Sequence, residues 1–256
     1  MSLLEVENLT ISFPQPLSDQ WKIVVDNVSF TLGNEKIGLV IAGESGSGKS
    51  MIGRAIMGLL PPSARLSAKK FTFMGKNLLS LSAKEWQHLR GKEIALILQD
   101  PHYSLNPNFT IGRKIAEMFH YHKGLSKKQA HYMALESLEK VNIQEPGRVM
   151  DLYPLEVSGG MGQRVMIAMM LAAHPKLLIA DEPTSALDQD NKEQFLQLVT
   201  SLVKSENMSL LLISHDLDLV QNYCDKALIM SQGKAVAVCP AKEIKKEKNP
   251  YVQGQF

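Results

Sequence analysis

Gly43-Glu44-Ser45-Gly46-Ser47-Gly48-Lys49-Ser50 has the spacing Gly-x-x-x-x-Gly-Lys-Ser and follows an apolar run. Glycines so placed let backbone amides converge on phosphate oxygens, and a helix starting at the end of the loop adds its positive dipole. Lys49 suits the β and γ phosphates, the Ser50 hydroxyl suits Mg2+, and Met51 closes the phosphate-contacting stretch. Much later in the chain, Leu177-Leu178-Ile179-Ala180 runs into Asp181-Glu182. A carboxylate at the carboxyl end of a buried strand can hold the water shell of the metal. The next side chain leaves in another direction, so Glu182 can aim at an attacking water as a general base. Together these segments predict hydrolysis of a nucleoside triphosphate. A glycine turn with a chance lysine, or an acidic turn capping a helix, would explain only one of them.

Between the two lies Val157-Ser158-Gly159-Gly160-Met161-Gly162-Gln163. Ser158 can donate a hydroxyl while Gly159 and Gly160 expose amides at a helix start. A P-loop kinase or GTPase has no need of such a segment. The plainer reading is a helix N-cap followed by flexible glycines.

Alternation of strands and helices supplies the scaffold. Residues 3–7 and 24–30 have the half-exposed, β-branched character of an antiparallel opening sheet. Residues 36–42 read as a parallel strand covered on both faces, and a helix should run from near Lys49 to before Pro61-Pro62. Buried strands are predicted at 93–98, 176–180 and 209–213, helices at 163–173 and 189–204, and a hairpin-like pair at 227–230 and 234–238. Residues 111–141 are mostly helical and read as an insert. The fold class is α/β, with a parallel sheet covered on both faces.

The 256 residues, 45% of them apolar, can fill a full core without staples. A net charge of +2 argues against a nucleic-acid partner. Two isolated cysteines, Cys224 and Cys239, fit a reducing cytosol rather than a disulfide framework. The opening residues do not read as a secretory signal, and the longest apolar stretch, 165–173, is far short of the roughly 20 residues of a bilayer span. Met118, His120, His122 and His131 do not read as a metal site, because residues two apart do not share a helical face.

On these motifs the chain resembles the nucleotide-binding subunit of an ATP-binding cassette (ABC) transporter over essentially its whole length. The resemblance implies a P-loop NTPase with a RecA-like parallel core, an N-terminal antiparallel β subdomain and an inserted helical subdomain. It divides one ABC ATPase domain, 1–256, into a core of 1–98 and 164–256 and a helical part of 99–163. Val157 to Met161 is similar to the Leu-Ser-Gly-Gly-Gln signature, which in the family closes over the γ-phosphate held by the opposite subunit. Met161 departs from the usual glutamine, and Gly162 should cost about 1 kcal/mol inside a helix relative to alanine. Gln99 matches the Q-loop glutamine that touches metal and attacking water. His215 matches the switch histidine, although it also reads as the neighbour of a helix cap at Asp216. Ser185-Ala186-Leu187-Asp188 matches the D-loop, with Asp188 placed at the dimer interface. Phe13 lies where the family places an adenine-stacking aromatic, with Trp21 the second choice.

Gln99-Asp100-Pro101-His102-Tyr103-Ser104-Leu105-Asn106-Pro107, Leu152-Tyr153-Pro154 and Lys248-Asn249-Pro250-Tyr251 are similar to segments of oligopeptide, dipeptide and nickel importers. Many peptide-type relatives continue into a cysteine-rich extension for an iron-sulfur cluster. The end at Phe256, together with Tyr153-Pro154-Leu155-Glu156-Val157-Ser158-Gly159-Gly160-Met161, leans the expectation toward nickel or a metal chelate, with a di- or oligopeptide importer as the alternative and a soluble, non-transport ABC ATPase behind both. Implied partners are two membrane-spanning permease subunits, a second ABC ATPase (a homologous, non-identical subunit, or a second copy of this chain) and an extracytoplasmic solute-binding protein. The implied location is peripheral, on the cytoplasmic face of the bacterial plasma membrane, and the implied cofactors are ATP and Mg2+.

Overall fold

A computed structural model describes residues 2–15, 18–33, 39–43, 48–97, 105–185, 187–247 and 252. The chain forms two compact units, Met1–Gln87 with Asn207–Phe256, and His88–Glu206.

The first unit opens with two long antiparallel strands, β1 (Leu4–Pro14) and β2 (Trp21–Leu32). In both, the buried positions switch between even and odd residues part-way. Leu4 and Val6 are buried, then Leu9 and Ile11; Val25 is buried, then Val28, Phe30 and Leu32. A two-residue period cannot produce that switch without an extra residue. Asn8 and Asn27 supply it, with φ of 54° and 55°, and the Asn8 side-chain amide donates to the Asn27 side-chain oxygen. Asparagine tolerates the left-handed region better than most residues.

Next come β3 (Leu39–Gly43) and α1 (Lys49–Ile56), followed by three short strands, β4 (Arg65–Ser67), β5 (Lys70–Phe73) and β6 (Lys76–Asn77). These extend the opening sheet: β4 and β5 both pair antiparallel with β1, and β6 pairs with β5. The helix α2 (Ala83–Lys92) follows, and its Trp86 lies so close to Gly58, just past α1, that a Cβ there would stand 2.7 Å from the indole.

Within the second unit, β7 (Ile94–Ile97) leads to α3 (Ile111–Lys123), α4 (Lys127–Lys140), α5 (Pro146–Asp151) and α6 (Gly159–Leu171). The predicted helical stretch 111–141 is thus two helices. Gly124, at φ 66°, stops α3, and Ser126 with Gln129 forms a capping box that starts α4. α6 begins four residues earlier than the expected Gln163, because Ser158 caps it and admits both glycines to the first turn. β8 (Leu177–Asp181) pairs parallel with β7, and α7 (Gln189–Ser205) follows.

The chain then returns to the first unit through β9 (Ser209–Ile213), α8 (Leu217–Tyr223), β10 (Lys226–Ser231) and β11 (Lys234–Pro240). β3 runs parallel to β10 on one side and to β9 on the other, and β11 pairs antiparallel with β10. All five residues of β9 are buried, as a strand covered on both faces requires.

Candidate nucleotide-binding site

In the first unit, β3 ends at Gly43 and α1 starts at Lys49, with Gly48 as its N-cap. Glu44, Ser45, Gly46 and Ser47 lie outside the described residues. Gly48 has φ 88°, and a Cβ there would stand 2.3 Å from the Val24 carbonyl oxygen and 2.9 Å from Val25 Cγ2. Glycine is therefore required twice over, by backbone conformation and by close approach to β2. Lys49 is only 5% exposed. A lysine buried that far belongs among acceptors or anions rather than in solvent. Ser50 and Met51 follow in the first turn, both partly exposed.

The parallel register brings His215 to the same end of this unit. Ile41 lies opposite Ile213, so Gly43 and His215 follow two residues on, at the carboxyl ends of neighbouring strands. His215 is exposed, while Asp216 beside it caps α8, its Oδ1 accepting from the Leu219 amide at 3.1 Å.

Register also separates the two candidate aromatics. Phe13 lies opposite Lys22 and shares a face of β1 with Ile11, whose partner is Val25. Val25 is the side chain that approaches Gly48. Trp21, opposite Pro14, belongs to the other face together with Ser12, whose partner on β4 is Arg65. The Arg65 guanidinium carbon sits 3.5 Å from the centre of the Trp21 ring, a cation–π stack that covers one side of the indole. Arg65 gave no signal in the sequence, because the pairing of β4 alone brings it there.

In the second unit, Asp181 is the last residue of β8, partly exposed after four fully buried positions. Glu182 has φ 48°, in the left-handed region that a non-glycine residue enters at a cost of about 1 kcal/mol. Two bonds onto its carbonyl oxygen hold the turn: the Ser185 amide at 3.3 Å and the Ser185 hydroxyl at 3.1 Å. Each contributes roughly 1 kcal/mol, enough to offset the strain. The turn sends Glu182 away from the strand direction that Asp181 ends. Pro183 is buried, and its carbonyl accepts from Gln163 Nε2 at 3.5 Å. Gln99 lies outside the described residues; β7, which precedes it, ends at Ile97.

Ser158 Oγ accepts from the Met161 amide at 3.4 Å, so the capping reading of this serine is realised. The two glycines behave differently from Gly48. Among the described residues, a Cβ at Gly159 or at Gly160 would meet no atom within 4 Å beyond its own helix turn, and neither has a positive φ. Nothing among the described residues asks for glycine there. Asp188 caps α7, with Oδ1 accepting from the Asn191 amide at 2.9 Å and Oδ2 from the Asn191 side chain at 2.7 Å. Those bonds hold its carboxyl below the usual range.

A strand–loop–helix phosphate motif, a parallel sheet ending in a carboxylate pair and a serine-capped glycine helix define an ATPase cassette of the P-loop class. Residues 25–185 match the ABC transporter family. The chain is 44% identical over 254 residues to the dipeptide transport ATP-binding protein DppD of Haemophilus influenzae, covering 99% of this chain and 76% of that protein. It is also 44% identical to the oligopeptide transport ATP-binding protein OppD of Bacillus subtilis, over 98% of this chain and 70% of that one. Among solved structures it resembles cbiO1 from Clostridium perfringens, part of the ABC transporter complex cbiONQ, with a TM-score of 0.80, 26% identity, and 97% and 92% of the two chains covered. The dimeric cassette MJ0796 superimposes with a TM-score of 0.79 at 24% identity, over 93% of this chain and 98% of that one, and shows the same fold. The chain belongs to the ABC transporter family and is an ABC-type ATPase.

Proposed function

We propose that this chain is the ATP-hydrolysing, energy-coupling subunit of a binding-protein-dependent importer of di- or oligopeptides. The observation that carries the reading is the 44% identity to DppD of H. influenzae along 99% of the chain. The expectation of nickel or a metal chelate loses ground here. It rested on where the sequence ends and on the segment from Tyr153 to Met161, not on any residue that touches cargo, and the relatives named above are dipeptide and oligopeptide transport proteins. The non-transport alternative finds no support in those relatives either.

The roles follow the motifs. Gly43, Glu44, Ser45, Gly46, Ser47 and Gly48 present backbone amides to the phosphates, Lys49 neutralises the β and γ oxygens, and Ser50 and Met51 complete the helix start. The Ser50 hydroxyl, the Asp181 carboxylate and the Gln99 amide oxygen would be the donors for Mg2+, all hard oxygen ligands of the kind that ion takes. When bound, the ion neutralises charge building on the phosphates. Glu182 takes a proton from the attacking water, and His215 contacts the γ-phosphate. Phe13 stacks on adenine, since its face is the one that meets Gly48 through Val25.

Ser158, Gly159 and Gly160 serve the nucleotide of a second cassette, with Asp188 at the joint between them. Support comes from the glycines themselves. Glycine in a helix costs roughly 0.5–1 kcal/mol against alanine, and here no contact among the described residues offsets the cost. Space kept open by two adjacent residues fits close approach by another molecule.

The core for nucleotide chemistry would comprise 1–98 and 164–256, and 99–163 the helical part that meets the permeases. Among the described residues no helix is long and apolar enough to cross a membrane. Two permease subunits would carry the passage, with this chain peripheral on the cytoplasmic face, beside a homologous ATPase or a second copy. An extracytoplasmic binding protein would deliver cargo. The test is ATP turnover by the reconstituted complex with the binding protein given dipeptides, longer peptides or nickel. Stimulation by peptide supports the reading; stimulation by nickel alone refutes it.

A further inference from the structure

Glu182 sits on a strained turn, and the side chains that hold this turn come from two directions. Ser185, from the D-loop, secures the Glu182 carbonyl. Gln163, from the signature helix α6, reaches the next carbonyl, that of Pro183. Gln163 is only 4% exposed, so its amide was removed from water to make this contact. Its neighbour Arg164 points elsewhere, donating from Nη1 to the Val141 carbonyl at the end of α4. Consecutive residues of α6 thus reach the hydrolytic turn on one side and the preceding helical hairpin on the other.

We propose that Gln163 is a positioning residue for Glu182, through which the placement of the signature helix sets the aim of the general base. The proposal rests on the reading of Glu182 as that base. At 3.5 Å the Gln163–Pro183 contact is long for a hydrogen bond. A small advance of α6 toward the turn shortens it, and a retreat breaks it. Pro183 has no amide hydrogen and a fixed φ, so a pull on its carbonyl reaches Glu182 with few torsions left to absorb it. With Ser158 seated on the nucleotide of a second cassette, closure at that pocket would adjust the base in this chain's own pocket. Gln163 is the side chain that connects the two.

The variants are chosen to fold. Gln163→Met is close in size, and Gln163 borders a small cavity of ≈ 20 Å³ beside Asn191 and Phe195 that accommodates a flexible thioether. In the assembled complex, Gln163→Met is expected to lower kcat about tenfold while leaving KM for ATP within about twofold, the signature of an interaction acting on the chemical step. Gln163→Glu keeps the shape and can donate only when protonated. Its turnover relative to the native chain should therefore fall as pH rises through the titration of that carboxyl. In single-turnover measurements, adding Gln163→Met to Glu182→Gln should cost less than about twofold further, because the residue acts through a base already removed.

A full tenfold loss in the double variant would overturn the proposal, as would unchanged kcat in Gln163→Met or a loss matched by a fall in folded fraction. If Glu182→Gln alone kept native turnover, the base assignment would fail and the proposal with it.

Discussion

The carbonyl oxygen of Val24 stands only 2.3 Å from where a Cβ of Gly48 would be. The last glycine of the phosphate loop is thus seated directly on the opening antiparallel sheet. Gly48→Ala must lift the loop off β2 and also strain a backbone at φ 88°. Binding of a fluorescent ATP analogue should weaken more than about tenfold, with a fall in melting temperature reflecting roughly 1–3 kcal/mol. Native affinity in this variant would show that the approach to Val24 has no role in binding.

Phe13 and Trp21 point to opposite faces of the same hairpin. Removing a stacking ring costs about 0.5–1.5 kcal/mol, so Phe13→Ala should raise the Kd for ATP by roughly 2- to 12-fold. Trp21→Ala should leave it within about twofold, because that ring already carries Arg65. Isothermal titration of the two variants separates the assignments, and the reverse order would make Trp21 the adenine contact.

Among the described residues, α3, α4, α6 and α7 converge on a charged cluster. Glu206 Oε1 lies 2.9 Å from Lys140 Nζ, and Oε2 lies 2.8 Å from His174 Nδ1. Burial, with Lys123 adding to it, depresses the His174 pKa below its ordinary 6.5 despite the nearby carboxylate. The hydrogen bond from Lys140 is the main cause of the lowered Glu206 pKa. A histidine depressed in the fold contributes stability that is complete above 6.5 and is lost as pH falls through the depressed value, because the unfolded chain binds its proton first. Glu206 acts in the same direction, starting below 4.5. Urea unfolding should show stability declining from pH 7.5 to 5.5. His174→Asn, which keeps a side chain tolerant of φ 50°, should flatten that slope. An unchanged slope would place the pH dependence elsewhere.

Much of this was readable in advance where one physical rule acts alone. The loop glycines, the buried strand ahead of Asp181 and the serine before Gly159 follow from local spacing. The strands within residues 65–77 were not legible, because β4, β5 and β6 are only two to four residues long, too short for a clear period, and exist by pairing with β1 or with each other. The face of Phe13 was equally hidden, since it depends on three register shifts, two marked only by an asparagine and the one beside Phe13, at Val24, by nothing. Gln163 carries no local signal at all; its partner is 20 residues away in sequence. Ser158 before two glycines gave the helix start as a capping signal, and the low helix propensity of glycine is why the helical range was nonetheless placed from Gln163.

Ser158→Arg places a bulky cation in the open space beside Gly159 and Gly160. In an assembled transporter, ATP turnover should fall at least about a hundredfold while this chain's own ATP affinity stays within about threefold. Undiminished turnover would show that the segment is only a helix cap.

The most direct measurement is steady-state ATP hydrolysis by the complex carrying Glu182→Gln, with bound nucleotide quantified in parallel. Loss of the base should cut turnover by about 10²- to 10⁴-fold and leave ATP bound. Hydrolysis at the native rate, or a chain that no longer retains ATP, would contradict the account.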